Sequence, residues 1–351
     1  MLKTIVATLH TVMGSSLSQQ SAVDTITQWR SRPPHVLIFD SSRREISQYM
    51  EAVDKLTQSP PNSKETNNKD LIAIAMARLK REFIAVLSRQ ADYQAGGPIS
   101  TITTTAEFSS VADSTAYAFR YEDYVISDLP STDVITYLKN IAQRMNSGGK
   151  LADCIRAYKS VRRTFLQAQL SRLRFEELSV NLNAKRYLWD ELKIKMEFWV
   201  QLSKICVKKL FDREKKLCDQ IFQGIVGING PAKDECFVGT VQDFAAGLFS
   251  FAESMSLSNQ PYERMETVFT VYDSFLSILP NVKALFDSVP GREIVIRCEE
   301  TLSNVEIEVT RMLHDFEDAV LHEKPVSNSS DENGSVHQRT EYVMDKITLM
   351  P

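Results

Sequence analysis

The side chains best able to do chemistry are few and scattered. The chain carries five histidines, His10, His35, His314, His322 and His337. None sits in a metal-ligand or nucleophile motif, and no G-x-S-x-G turn marks a reactive serine. His314 stands beside Asp315, Glu317 and Asp318, a grouping that could suggest a metal ion. The helical period around it turns Leu313 and Phe316 inward and leaves the polar residues as a solvated acidic face. Cys154, Cys206, Cys218, Cys236 and Cys298 form no CxxC pair, which leaves a thiolate zinc site unsupported. An odd, dispersed set in a chain of 351 residues is not a disulfide framework either. Cys206 and Cys218 fall at or near apolar helical positions and read as small buried hydrophobes. Gly224, Gly227 and Gly230 follow a helical run ending near Phe222, with no strand before them. They read as a loop and not as a dinucleotide fingerprint. The residues therefore predict no catalytic site, no metal and no cofactor.

One charge cluster stands out: Lys204, Lys208, Lys209, Arg213, Lys215 and Lys216. Lys204 and Lys208 share a helix face. Such a stripe could meet anionic lipid headgroups at about 1 kcal/mol per charge, although Glu214 and Asp219 dilute it. Aromatic residues are not interleaved with the cations, and the formal charge of the chain is -4, so nucleic acid is not an expected partner.

Helices must position all of these residues. Gly and Pro number only 12 each, which favours long helices over short strands with tight turns. Hydrophobic residues make up 43% and charged residues 25% of the chain, enough to build a packed core. Steps of three and four run through Leu188, Leu192, Met196, Trp199, Leu202, Cys206 and Leu210. They recur from Ile294 through Cys298, Leu302, Val305, Val309, Met312 and Phe316 to Val320. Leu151, Ile155, Tyr158, Val161 and Phe165 make a third stripe, Phe244, Leu248, Phe251 and Met255 a fourth. Met265, Val268, Tyr272, Phe275 and Leu279 make a fifth.

Start and stop signals agree. Ser42 and Glu45 form a capping box opening a helix to about Leu56. Ser131 and Thr132 follow Pro130 as natural N-caps, Gly148 and Gly149 stop that helix, and Pro261 suits a first turn. Ser59–Lys69, Asp92–Ala112 and Pro325–Ser335 read as loops, and Val36–Phe39 as a short extended piece. No run of about 18 apolar residues predicts a transmembrane helix, and no secretory signal or lipidation motif is present. The cysteine usage suits the cytosol.

Stripes of this kind are stable only against neighbours, so the fold class expected is all-α, an elongated rod of stacked antiparallel helical bundles. The expected division is an N-terminal helical segment and linker over 1–68, a first bundle of the rod over 69–185, and a second domain over 186–351. The helix from Ser42 to Leu56 presents Ile46, Tyr49, Met50, Val53 and Leu56 on one side. That face either docks on a partner helix or is buried against its own rod.

The order of the segments also resembles a known family. Asp70–Phe83, DLIAIAMARLKREF, is similar to a helix of the plant-type seventy-kilodalton exocyst subunits. Asp128–Leu173, with its Leu-Pro start, Ile-Ala-x-Arg-Met run, glycine break and Tyr before Arg-Arg, resembles the next family block. Glu176–Val180 and Leu188–Phe222 follow in the family's order, as do Phe244–Phe286 and the RTEYVMDKITLM segment, Arg339–Met350. The resemblance covers most of the chain from about residue 38 onward and makes 186–351 a partial C-terminal domain of such a subunit.

It implies a non-catalytic scaffold that tethers secretory vesicles to the plasma membrane during exocytosis, cytoplasmic and peripherally recruited. It implies other exocyst subunits, Rho-type small GTPases and phosphoinositides as partners. The family chain continues past the T-x-YVM helix, and its main phosphoinositide-binding basic surface lies in that continuation. The expectation here is therefore a C-terminally truncated member, without direct membrane docking through that surface and with Tyr342, Val343, Ile347 and Leu349 exposed. A truncated or diverged helical adaptor or decoy, binding regulatory proteins outside the exocyst, is the alternative the same resemblance allows.

Overall fold

A computed structural model describes residues 20–58, 65–96, 121–126, 128–179, 189–227, 230–256 and 265–321. The described residues are almost entirely helical, so the all-α expectation holds. They fall into two compact units built from alternating stretches of chain.

The first unit takes Met1–Thr101, Val125–Arg172 and Leu210–Gln242. Helix α1 (20–31) buries Ala22, Ile26 and Trp29 at helical spacing. Helix α2 (Arg43–Gln58) opens with the expected capping box. Glu45 N–H donates to Ser42 Oγ at 3.3 Å, and Glu45 Oε2 accepts from Ser42 N–H at 3.2 Å. Helix α3 (Glu65–Gly96) packs against α2, α4 (Thr132–Ser147) and α5 (Leu151–Arg172). It is longer than the sequence predicts, taking Glu65–Lys69 and Asp92–Gly96 from the two flanking loops. Those residues hold no Pro, and adding a residue to an existing helix costs far less than nucleating one.

Helix α4 (Thr132–Ser147) starts and stops where expected, with Gly148 at its C-cap, but the Ser131 side chain at the N-cap position makes no capping bond. Gly149 has φ +70°, a left-handed conformation that suits glycine. There Lys150 N–H reaches back to Met145 O at 2.7 Å. Helix α8 (Asp212–Ile221) packs on α4 and completes this core with Leu217, Cys218, Ile221 and Phe222. Gly224, Gly227 and Gly230 follow α8 outside any helix, as expected, and β1 (Val226–Gly227) pairs antiparallel with β2 (Gly230–Pro231).

The piece at Val36–Phe39 is not extended. Val36 N–H closes a turn onto Pro33 O, and Ser41 N–H another onto Ile38 O. Leu37 and Ile38 are buried, and the turn bonds carry the backbone groups that a strand would have left unpaired.

The second unit takes Ile102–Tyr124, Leu173–Lys209 and Asp243–Pro351. Its described elements are a 3₁₀ turn (Tyr121–Asp123), the short α6 (Glu176–Ser179), α7 (Trp189–Ile205), the last part of α9 (Ala232–Ser256), α10 (Met265–Leu285) and α11 (Arg292–Leu321). A π-helical stretch, Cys206–Phe211, follows α7 directly. Helix α10 packs on α7 and α11. The centre is aromatic: Trp199 lies 5.0 Å from Phe275, and Phe249 lies 6.2 Å from Phe275. The Trp199 indole N–H donates to Leu248 O at 2.9 Å. Gly291 sits where a Cβ would come within 2.8 Å of Phe286 O, so the turn from α10 to α11 admits no side chain there.

The stripes are right in period and shifted in detail. On α10 the buried line is Val268, Val271, Phe275, Ile278 and Val282, leaving Tyr272 and Leu279 half-buried. On α11 Cys298, Val305, Val309 and Met312 are buried, whereas Leu313 is 43% exposed and does not turn inward. The Pro261 start, the Pro325–Ser335 loop and the Arg339–Met350 block, with Tyr342, Val343, Ile347 and Leu349, lie outside the described residues.

Candidate functional site

The first unit holds two buried polar networks. In the deeper one, α5 supplies Tyr158 and Arg162 one turn apart, and α8 supplies Glu214 and Cys218 with the same spacing. Arg162 and Glu214 are each 1% exposed. Arg162 Nη2 donates to Glu214 Oε2 at 2.7 Å and Nε to the same oxygen at 3.0 Å. Tyr158 O–H donates to Glu214 Oε1 at 2.7 Å, and the Cys218 thiol to the Tyr158 oxygen at 3.2 Å. Burial works against the guanidinium's charge, but the Glu214 carboxylate outweighs it and holds the Arg162 pKa above its ordinary value. Burial, with Glu214 close by, pushes the Cys218 thiol and the Tyr158 hydroxyl well up. Tyr158 also meets Phe222 edge-on at 5.3 Å, which seals the group from water.

The second network sits on α3. Glu82, fully buried, accepts from Ile38 N–H at 2.8 Å and from Arg78 Nη2 at 3.1 Å. Arg78 also donates to Val36 O. Burial pushes Glu82 above its ordinary value against the pull of the Ile38 N–H and the Arg78 charge. The pair thus ties the irregular turn after α1 to the middle of α3.

Neither network has the makings of a catalyst. Each carboxylate is enclosed and matched to donors, with no open position for a substrate. Among the described residues, no group of three or more His, Cys, Asp or Glu side chains is placed to hold a metal ion. His314 is exposed, with Asp318 4.0 Å away. All five cysteines are free and buried. Among the described residues no helix is long and apolar enough to cross a membrane.

The α2 face is filled by its own chain. Tyr49, Met50, Val53 and Leu56 are buried in the core of the first unit, and Ile46 is half-buried. Trp29 meets Tyr49 edge-on at 6.1 Å, and α3 and α4 pack against the helix. Arg144 Nη2 fastens α2 further through Asp54 at 2.6 Å.

The six cations divide between the two units. Lys204 and Lys208 are half-buried in the second unit. Lys209 Nζ donates to Tyr121 O at 2.5 Å and Tyr124 O at 2.6 Å, with the Tyr121 ring 4.1 Å away. It pins the 3₁₀ turn alongside Gln201, which accepts the Tyr121 N–H at 2.8 Å. Arg213 is buried and donates to Asp128 O at 2.7 Å. Lys215 pairs with Asp234 at 2.9 Å and Lys216 with Asp212 at 2.7 Å. Lys209, Arg213 and Lys215 are thus engaged within their own units, whereas Lys216 makes an exposed pair one turn back along α8.

Sequence reasoning missed Arg162, Glu214, Arg78 and Glu82. The signal was present: each sits one turn from a buried apolar residue, inside an apolar step pattern where a surface charge does not belong.

Comparison with known proteins bears on these surfaces. A family model for the C-terminal region of the Exo70 exocyst complex subunit matches residues 197–351. A second, for the N-terminal region of the exocyst complex component Exo70, matches residues 19–89. Exocyst complex component EXO70B1 of Arabidopsis thaliana is 24% identical over 367 residues, covering 97% of this chain and 56% of that protein. EXO70E2 of the same plant is 26% identical, covering 95% of this chain and 55% of the relative. EXO70A1 is 26% identical, covering 65% and 34%. The chain thus spans about half the length, or less, of the curated relatives it matches. With both family models matching in chain order on an all-helical fold, the chain belongs to the Exo70 family of exocyst complex subunits.

Proposed function

We propose that this chain is a non-catalytic helical scaffold of the exocyst, acting in the tethering of secretory vesicles to the plasma membrane. The observation that carries the reading is the pair of family models, N-terminal over 19–89 and C-terminal over 197–351, in one chain. Several relatives are named as exocyst complex components across most of this chain's length. The fold supports a scaffold in that its buried charges tie helices together.

Other exocyst subunits are the partners this reading requires, with the chain cytoplasmic and recruited peripherally to the membrane. Rho-type small GTPases are the regulatory partners the family resemblance adds. Phosphoinositide contact through Lys209, Arg213 and Lys215 does not belong to the proposal, since these cations already have partners inside the fold.

The test is affinity purification of the tagged chain from its own cells with mass spectrometry of co-purifying proteins. Recovery of the other exocyst subunits is the expected result. Their absence, with a different and reproducible set of partners, would overturn tethering and leave an adaptor outside the complex.

A further inference from the structure

We draw no further inference here: the strongest candidate, the apolar line along α10 made by the half-buried Phe269, Tyr272 and Leu279 with the exposed Leu276, carries nothing because nothing in the structure shows what covers it.

Discussion

Arg162 and Glu214 show what a buried charge does here. The pair is enclosed by Tyr158, Phe165 and Phe222, and its hydrogen bonds join α5 to α8 across a wide gap in sequence. Breaking it leaves a carboxylate in the core with only the Tyr158 hydroxyl, so Arg162→Met should cost about 3–5 kcal/mol in chemical denaturation. Replacing both residues by apolar ones of similar size should recover most of that loss. A single substitution costing no more than a surface ion pair would mean the site is wet. The thiols give a second prediction. Burial pushes Cys154 and Cys298 up to about 12 from an ordinary 9.0. The folded chain therefore holds these protons where the unfolded chain has released them. Their contribution to stability is full below the unfolded value and is lost as pH rises toward the folded one. A thiol reagent should label the native chain slowly, with little acceleration from about pH 7 to about pH 9, because the reactive species is the thiolate. All five thiols should appear on denaturation. Fast labelling of the native chain would show open access to them. That Cys206 and Cys218 are core residues is legible along the chain, because each sits on an apolar period. The Arg162–Glu214 pair is not, since a period shows which way a position faces but not which distant residue it meets.

At the scale of the element, caps and glycines were legible because they act locally. The Ser42–Glu45 box, the Thr132 start and the Gly148 stop need only a few neighbouring residues, and all stand where the sequence puts them. The misreadings are places where tertiary context decides. Val36–Phe39 resembles a strand by composition, yet Glu82 on α3 and two turn bonds hold it as an irregular link. The line of burial on α10 is shifted because its neighbours α7 and α11, not its own sequence, define the inward direction. Helix α2 poses the sharper question, since one apolar face can serve a partner or the chain's own core. With Tyr49 and Val53 buried, Val53→Asp should remove several kcal/mol and abolish a cooperative transition, because it places an unpaired charge in the core. Ser42→Ala on the same helix removes only a cap and should cost about 1 kcal/mol. Circular dichroism during urea titration separates the two. A Val53→Asp chain that unfolds like the parent but loses a partner would return the face to docking.

The whole molecule departs furthest from what reading along the chain suggests. Family blocks met in order suggest domains in series, with breaks near residues 68 and 185. The first unit instead gathers Met1–Thr101, Val125–Arg172 and Leu210–Gln242, skipping the stretches between. Such interleaving is set by long-range packing, for which neither composition nor periodicity carries a signal. It has a consequence for dissection. A fragment of residues 1–185 keeps α1 to α5 but lacks α8 and the start of α9, and with them Leu217, Cys218, Ile221, Phe222 and Phe237. Phe83 and Tyr158 lose the Phe222 ring, which lies 6.4 and 5.3 Å away, and Arg162 is left buried without its carboxylate. Each loss falls among the core substitutions that cost several kcal/mol, and together they exceed the roughly 5–15 kcal/mol that hold a domain folded. The fragment is therefore expected to aggregate or to melt without a cooperative transition, while the full chain unfolds sharply. Adding back a separate peptide of residues 210–242 should restore part of the helicity, and the Glu214→Gln version of that peptide should restore less. A monodisperse 1–185 fragment with a sharp transition of its own would show that α8 only decorates the first unit, and the serial division of the chain would then be the better description.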